Sequence, residues 1–131
     1  MLRYRILILD DDTDYLETIQ GLLTEAGYLV STCSKATESL KAISLYKPDC
    51  LLMDLNMPCF KGDEILPLIR RGSPNLPVVV CTGEDQVDER FLLQYGVGQV
   101  LLKPFTPQLL YRAIQRAIGA RTSISAERAA V

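Results

Sequence analysis

The sequence predicts a doubly wound α/β domain built on a parallel sheet of five strands with five helices. Short apolar runs recur along the chain, and stretches with helical periodicity separate them. Three of these runs are apolar almost throughout, which is typical of parallel strands that helices cover on both faces. Strands that alternate with helices through short connections indicate a sheet wound on both sides.

The five predicted strands, numbered β1 to β5 along the chain, lie at residues 4–9, 28–33, 50–53, 77–81 and 99–102. The second strand has the sequence YLVSTC, which is more polar than the others and alternates in polarity. Because a central parallel strand is buried on both faces, this pattern favours a position at the edge of the sheet.

The first three predicted helices follow β1, β2 and β3. The apolar face of α1 lies within 16–26, and the helix is expected to end at Gly27. Helix α2 has its apolar positions within 40–46 and is expected to end before Pro48. Helix α3 covers about 62–71 and contains Pro67, which should kink the helix unless it lies in the first turn.

The last two predicted helices follow β4 and β5. Helix α4 has its apolar positions within 87–95, just before a glycine. Helix α5 is expected to begin with Thr106 as its N-cap and Pro107 as its first residue, and its apolar positions continue to residue 118. Periodicity is lost after that, so we expect one domain at 1–120 and a disordered tail or a linker to an absent domain at 121–131.

Length and composition exclude several classes of protein. A chain of 131 residues is enough for one domain with one core, and a net charge of −2 gives no reason to expect direct binding of nucleic acid. Four widely spaced cysteines without any histidine argue against a zinc site or a disulfide scaffold and favour reduced thiols. The apolar runs are too short to span a membrane, so we expect a cytoplasmic protein without a membrane partner.

Polar residues follow four of the five predicted strands. These residues are Asp10, Asp11 and Asp12 after β1, Asp54 after β3, Thr82 after β4, and Lys103 after β5. Ligands of open parallel sheets bind beyond the carboxyl ends of the strands, so we expect these side chains to meet at one edge. Two carboxylates about 4 Å apart repel each other by on the order of 4 kcal/mol at an effective dielectric of about 20, so a compensating cation is expected.

This set of side chains is typical of phosphoryl transfer. Clustered carboxylates bind hard divalent cations, and Mg²⁺ favours one or two carboxylates together with water and phosphate oxygens. An aspartate can also be the nucleophile that accepts a phosphoryl group. A lysine and a divalent cation would neutralise the charge of the transferred group, and a threonine hydroxyl could donate a hydrogen bond to it.

Four segments, ILDDD, LLMDLNMP, VVVCTG and VLLKPF, resemble in order and spacing the signatures of the receiver domain of two-component response regulators. The resemblance covers about residues 3–120 and implies a flavodoxin-like sheet with the strand order 2-1-3-4-5. It also implies a phosphorylation-dependent signalling switch. Such a switch receives a phosphoryl group from a histidine kinase or a phosphotransfer protein and acts on a partner or a fused output domain.

The resemblance implies a role for each residue around the metal. Asp54 would be the phosphoacceptor and a metal ligand. Asp10 and Asp11 match the acidic pair, of which Asp11 would bind Mg²⁺ (or Mn²⁺) directly and Asp10 through water. Asn56 would offer its backbone carbonyl to the metal. A receiver domain catalyses its own phosphorylation and dephosphorylation only, so its status as an enzyme is a matter of definition.

The resemblance also covers the β4 and β5 ends of the sheet. Thr82 matches the hydroxyl that senses the phosphoryl group, and Lys103 matches a salt-bridging lysine whose peptide bond to Pro104 is typically cis. Many family members have a tyrosine or phenylalanine three residues before the lysine, whose rotation reports phosphorylation to the face formed by α4, β5 and α5. Here that residue is Val100. A homodimer through this face is a further expectation.

Two other functions stay open on the residues alone. A phosphohydrolase of the haloacid-dehalogenase type also uses a strand-end aspartate with Mg²⁺, and its D-x-D-x-T motif matches Asp10 and Asp12 but has Asp14 where the threonine belongs. A phosphorylation-independent interaction module would keep the fold without the switch, and Val100 favours it. The aspartate run taken alone is also typical of a solvated helix N-terminus.

Overall fold

The computed structural model describes residues 3–57, 62–83 and 87–129, which form one parallel sheet with helices on both of its faces. The strands are β1 (Arg5–Leu9), β2 (Leu29–Cys33), β3 (Cys50–Met53), β4 (Val78–Thr82) and β5 (Gln99–Leu102). The α-helices are α1 (Thr13–Glu25), α2 (Ser39–Tyr46), α3 (Gly62–Gly72), α4 (Glu89–Gln94) and α5 (Pro107–Ala129), and a 3₁₀ turn at Ala36–Glu38 precedes α2.

The strand order is β2-β1-β3-β4-β5, and every neighbouring pair is parallel. Both the flavodoxin-like order and the edge position of β2 are therefore confirmed. In the register of the central pair, Ile6 lies opposite Cys50 and Leu9 lies opposite Met53. As a result β1 and β3 end side by side, and the residues that follow them emerge at the same edge of the sheet.

The sheet separates two hydrophobic cores, and alternate residues of each strand enter one or the other. Leu7 of β1 and Leu51 of β3 pack with α2, α3 and α4, whereas Ile8 and Leu52 pack with α1 and α5. Because both faces of β1, β3 and β4 are covered, every position of β3 and β4 is buried. This two-sided burial explains why these strands are continuous apolar runs.

The ends of α1 and α2 follow from local chemistry. Asp12 caps α1 by accepting a hydrogen bond from the Tyr15 backbone N–H (3.1 Å), and Gly27 follows the helix with a positive φ of 98°. Helix α2 ends before Pro48 as predicted, but the residue that turns the chain is Lys47, at a φ of 52°. A left-handed lysine is uncommon because its Cβ crowds the backbone.

Helix α3 has nearly the predicted bounds, whereas helix α5 is longer than predicted. Helix α3 continues through Pro67, its sixth residue, although a proline beyond the first turn leaves one helical hydrogen bond unmade. Helix α5 begins at Pro107 as predicted, with the Thr106 hydroxyl accepting from Leu109 N–H (3.3 Å), but it extends to Ala129 through most of the segment predicted as a tail. The predicted tail at 121–131 contains three alanines, two arginines and one glutamate, which favour helix without needing an apolar face. The domain boundary at residue 120 stays a prediction.

Candidate functional site

The residues predicted to meet at the carboxyl edge of the sheet do meet there. Asp10 N–H donates to Cys33 O (3.1 Å), Asp54 N–H donates to Leu9 O (3.0 Å), and Lys103 N–H donates to Thr82 O (2.8 Å). These bonds extend the hydrogen-bond ladders of the strands by one residue each. They therefore fix the backbone of Asp10, Asp54 and Lys103 at the carboxyl edge of the sheet, which we call the rim.

Lys103 bridges two aspartates that lie far from it in sequence. Its ammonium Nζ is 2.6 Å from Asp10 Oδ2 and 3.1 Å from Asp54 Oδ2. The Asp10 side chain is only 2% exposed, whereas that of Asp54 is 11% exposed. A single positive charge therefore compensates two neighbouring carboxylates, and Asp54 is the more accessible of the two.

The second oxygen of each of these carboxylates is held by the chain that follows it. Asp10 Oδ1 accepts the backbone N–H of Asp12 (3.0 Å), and Asp54 Oδ1 accepts the backbone N–H of Asn56 (3.0 Å). Both carboxylates are thus oriented from two sides before any ligand arrives. Within the aspartate run, Asp12 caps α1 as described above. The interpretation of the run as a helix N-terminus is therefore correct for that residue.

Asp10, Asp11 and Asp54 can approach one cation together. Each offers a carboxylate oxygen, and these oxygens lie within 4.8 Å of one another. Asp11 is exposed, Asp54 is half-buried and Asp10 is buried, so the cluster opens from the interior of the rim toward solvent. Three carboxylate oxygens form a hard donor set that suits a divalent cation such as Mg²⁺.

Burial and the ion pair shift the pKa values of Asp10 and Lys103. Burial raises the pKa of Asp10, and the hydrogen bonds from Lys103 and from Asp12 N–H oppose this only in part. Burial lowers the pKa of Lys103, but the hydrogen bonds and negative charges of Asp10 and Asp54 outweigh it, so the net shift is upward. The lysine therefore stays positively charged, and the buried carboxylate gains from any further positive charge.

Thr82 and Val100 lie on the neighbouring strands. Thr82 is the last residue of β4 and is fully buried. In the register of β3 and β4, it lies one residue beyond the position opposite Asp54. Val100 lies on β5 opposite Val80 and is 39% exposed. Tyr95, an aromatic residue five positions before Val100, packs against the Phe91 ring at a centroid distance of 5.0 Å.

One residue of the site was missed by the sequence analysis. The Tyr15 ring centroid lies 3.9 Å from Lys103 Nζ, within the range of a cation–π contact. Tyr15 is in the first turn of α1, three residues after Asp12, and an aromatic residue at that place is the signal that could have drawn attention to it.

The described cysteines lie inside the core of the domain. Cys33, Cys50 and Cys81 are buried and free, and Cys59 lies outside the described residues. Burial raises the pKa of Cys81 to about 12 and that of Cys50 still further, so both are unreactive core residues. In the described part of the chain, none of the helices has the length and hydropathy needed to cross a membrane.

Fold and site together define a flavodoxin-like α/β domain that gathers carboxylates around an ammonium group at the carboxyl edge of its sheet. The family model of the response regulator receiver domain matches residues 6–115. The chain belongs to this family, the phosphorylation-dependent switches of two-component signalling systems. The phosphohydrolase alternative is therefore wrong.

Curated relatives extend beyond the matched region. The transcriptional regulatory protein PrrA of Mycobacterium leprae is 34% identical over a matched length of 131 residues. The match covers 97% of this chain and 56% of PrrA. The response regulator MprA of Mycobacterium ulcerans is 35% identical over 127 residues, which cover 96% of this chain and 54% of MprA. The chain spans about half the length of the curated relatives it matches.

Solved structures of receiver domains have the same fold over their whole length. A CheY-like receiver domain protein from Methanospirillum hungatei superposes with a TM-score of 0.86 at 28% identity, over 93% of this chain and 98% of that one. A receiver domain from Clostridium thermocellum superposes with a TM-score of 0.84 at 32% identity, over 92% of this chain and 98% of that one.

Proposed function

We propose that Asp54 accepts a phosphoryl group from a histidine kinase or a histidine phosphotransfer protein. The observation that carries this proposal is the ammonium of Lys103, which pairs with Asp10 and Asp54 at once, while the Asp54 side chain is the more exposed of the two carboxylates. A carboxylate oxygen of Asp54 would attack phosphorus, the bond from phosphorus to the donor imidazole nitrogen would break, and the imidazole would take up a proton. The phosphoryl group would thus pass from nitrogen to oxygen without an oxidant or a further co-reactant.

Mg²⁺, or Mn²⁺ in its place, fits the carboxylate cluster described above. Asp11 and Asp54 would bind the cation directly and Asp10 through water, because the three carboxylates can approach one ion together. The backbone carbonyl of Asn56 would be a further ligand. When bound, the cation neutralises the negative charge that builds up on the transferred group. The raised pKa of Asp10 supports this proposal, because it marks a buried carboxylate that benefits from a nearby cation.

Lys103 and Thr82 would act on the phosphoryl group once it is attached to Asp54. The Lys103 ammonium already contacts an Asp54 oxygen, so a short movement would bring it to a phosphoryl oxygen. Thr82 would donate its hydroxyl hydrogen to another phosphoryl oxygen. Because Lys103 N–H is bonded to Thr82 O, a movement of one residue is mechanically linked to the other.

The signal would leave through the surface formed by α4, β5 and α5. This surface exposes large apolar side chains on all three elements: Leu93 on α4, Val100 and Leu102 on β5, and Leu109 on α5. Exposed apolar residues of this kind are typical of protein contacts, so we infer a homodimer or a partner contact here. Val100 lacks an aromatic ring, so a change in its leucine-rich neighbours or in Tyr95 would have to replace the usual rotation of that residue.

The output is proposed to lie in another domain. The relatives PrrA and MprA are about twice as long as the matched region, and PrrA is a transcriptional regulatory protein. We infer a fused output domain that acts in the cytoplasm, while this domain, with its net charge of −2, does not itself bind nucleic acid. The chemistry of the domain is confined to its own phosphorylation and dephosphorylation.

The test is incubation with acetyl phosphate and Mg²⁺, followed by intact mass measurement. We expect one phosphoryl adduct that is stable in acid, labile in base, abolished by Asp54→Asn and prevented by EDTA. An adduct that persists in Asp54→Asn and disappears in Asp10→Asn would contradict the assignment of the phosphoacceptor. A partner that binds equally with and without the adduct would favour the phosphorylation-independent module.

A further inference from the structure

The ammonium of Lys103 has three neighbours, of which the family roles explain two. Its three N–H donors face Asp10 Oδ2 at 2.6 Å, Asp54 Oδ2 at 3.1 Å, and the ring of Tyr15, whose centroid is 3.9 Å from Nζ. The ring face carries negative electrostatic potential, so it attracts the ammonium without adding a formal charge.

Tyr15 is held in this place from three directions. Its backbone N–H donates to Asp12 Oδ1, and the N–H of the same Asp12 donates to Asp10, so one turn of chain orients both neighbours of the lysine. The ring packs against the core beneath α1 and α5, and its side chain interacts with Cys81 of β4. Burial raises the pKa of the Tyr15 hydroxyl, so the ring stays neutral.

The ring differs from the Asp54 carboxylate in one respect. When Asp54 becomes an acyl phosphate, its carboxylate loses its charge and the ammonium must move toward the phosphoryl oxygens. The contact with the ring does not depend on the state of Asp54. The Lys103 side chain is 21% exposed, so water competes for the ammonium wherever the ring does not cover it.

We propose that Tyr15 is a positioning residue for phosphoryl transfer, whose ring face holds the Lys103 ammonium beside Asp54 and shields it from water. This inference rests on the proposed function, because it assigns a role in phosphorylation of Asp54. Tyr15 does not touch the reacting atoms in this arrangement. It acts through Lys103.

Two substitutions separate the ring from the hydroxyl. Tyr15→Leu removes the ring, and we expect the rate of Asp54 phosphorylation by acetyl phosphate to fall roughly 2- to 30-fold, the range that corresponds to an ordinary cation–π contact. Tyr15→Phe keeps the ring face and should retain most of the wild-type rate. Tyr46→Leu is the matched control, because the Tyr46 ring faces Arg5 at 5.9 Å, and Arg5 begins β1 at the opposite end of that strand from Asp10.

Two further readouts distinguish positioning from packing. In NMR spectra the Tyr15 ring should shift the Lys103 Hε protons upfield, and this shift should persist in Tyr15→Phe and disappear in Tyr15→Leu. The affinity for Mg²⁺ should be unchanged in Tyr15→Leu, because the carboxylates keep their backbone hydrogen bonds. A loss of Mg²⁺ affinity that parallels the loss of rate would overturn the proposal and show that the ring only supports the packing of the rim.

Equal rates in the wild type and Tyr15→Leu, or an equal loss in Tyr15→Phe and Tyr15→Leu, would also overturn the proposal. The proposed function can fail separately. If the wild-type chain takes up no phosphoryl group at all, the assignment of Asp54 fails, whereas the upfield shift of the Lys103 protons still decides whether Tyr15 holds the ammonium.

Discussion

Lys103 Nζ lies 2.6 Å from Asp10 Oδ2. The ammonium of the residue that follows the last strand thus neutralises the carboxylate of the residue that follows the first strand. The two residues are 93 positions apart in sequence. Their ion pair is buried on the Asp10 side and also reaches Asp54, so the stability of the rim and its chemistry depend on the same three side chains. Five predictions follow from the contacts of this rim and of the core around it.

Replacing Lys103 by methionine should destabilise the protein most when no divalent cation is present. Asp10 would lose its charged partner inside the rim, and we expect the free energy of unfolding to fall by about 1–3 kcal/mol in urea titrations with EDTA. Mg²⁺ should restore much of this loss because it supplies positive charge to the same carboxylates. Lys41→Met, on the exposed face of α2, is the control, and equal losses in the two variants would contradict the prediction.

Magnesium should stabilise the folded chain, and Asp11 should be needed for this effect. At a concentration of 100 times Kd, a cation that binds only the folded state adds about 2.7 kcal/mol to the free energy of unfolding. Asp11→Asn should abolish most of this gain with little cost in EDTA, since Asp11 is exposed. Asp14→Asn removes a nearby exposed aspartate from α1 and should leave the gain intact in thermal denaturation.

Asp12 should contribute to stability but not to metal binding. Its side chain caps α1, so Asp12→Ala is expected to lower the free energy of unfolding by about 1 kcal/mol, and Asp12→Ser should recover most of the loss. The bond to Asp10 comes from the Asp12 backbone and survives the substitution. Calorimetric titration with Mg²⁺ should therefore give the same affinity in Asp12→Ala, and a large loss would assign this residue to the metal site.

Arg70 should be a major structural residue at the opposite end of the sheet. Its guanidinium donates to the backbone carbonyls of Ser73, Leu76 and Tyr95, which joins α3 to the loops before β4 and β5. Arg70→Met leaves these carbonyls without their donor, and we expect a loss of about 2–3 kcal/mol in urea unfolding. Arg71→Met, at the exposed neighbouring residue, is the control variant. Its free energy of unfolding should be nearly unchanged.

Stability should fall at alkaline pH, in part because of Cys50. Burial raises the pKa of this thiol in the folded state, whereas the pKa in the unfolded chain is about 8.5. As the pH rises, the unfolded chain therefore loses the thiol proton before the folded chain does. Above that pH the free energy of unfolding should decline by about 1.4 kcal/mol per pH unit for this group, with no effect below it. Cys50→Ala should reduce the slope measured by urea unfolding with a reductant, and an unchanged slope would contradict the assignment.

Much of the site could be predicted because strand ends are marked in the sequence. An apolar run that stops at an aspartate or a lysine shows where a parallel strand leaves the core, and Asp54 and Lys103 were placed correctly at the rim on that basis. Asp12 lay in the same aspartate run as Asp10, yet its capping role depends on backbone geometry that composition does not show.

The remaining features depend on tertiary contacts. The sequence shows an aromatic residue in the first turn of α1, but it does not show that the Tyr15 ring faces a lysine 88 residues further along the chain. Likewise, Arg70 is an ordinary helix residue in the sequence, and its carbonyl partners are defined only by the fold. The left-handed Lys47 was missed because glycine is the usual signal for that conformation. The length of α5 was missed because apolar periodicity detects buried helix faces and says little about a helix that continues beyond them.

The bridge between Asp10, Asp54 and Lys103 has a consequence for synthesis of the protein. Asp54 leaves the ribosome 49 residues before Lys103, and β5 is the last strand to be made. Until β5 has joined the sheet, a nascent chain carries Asp54 without its ammonium partner. The order of translation therefore delays the complete cluster of charges until the whole sheet exists.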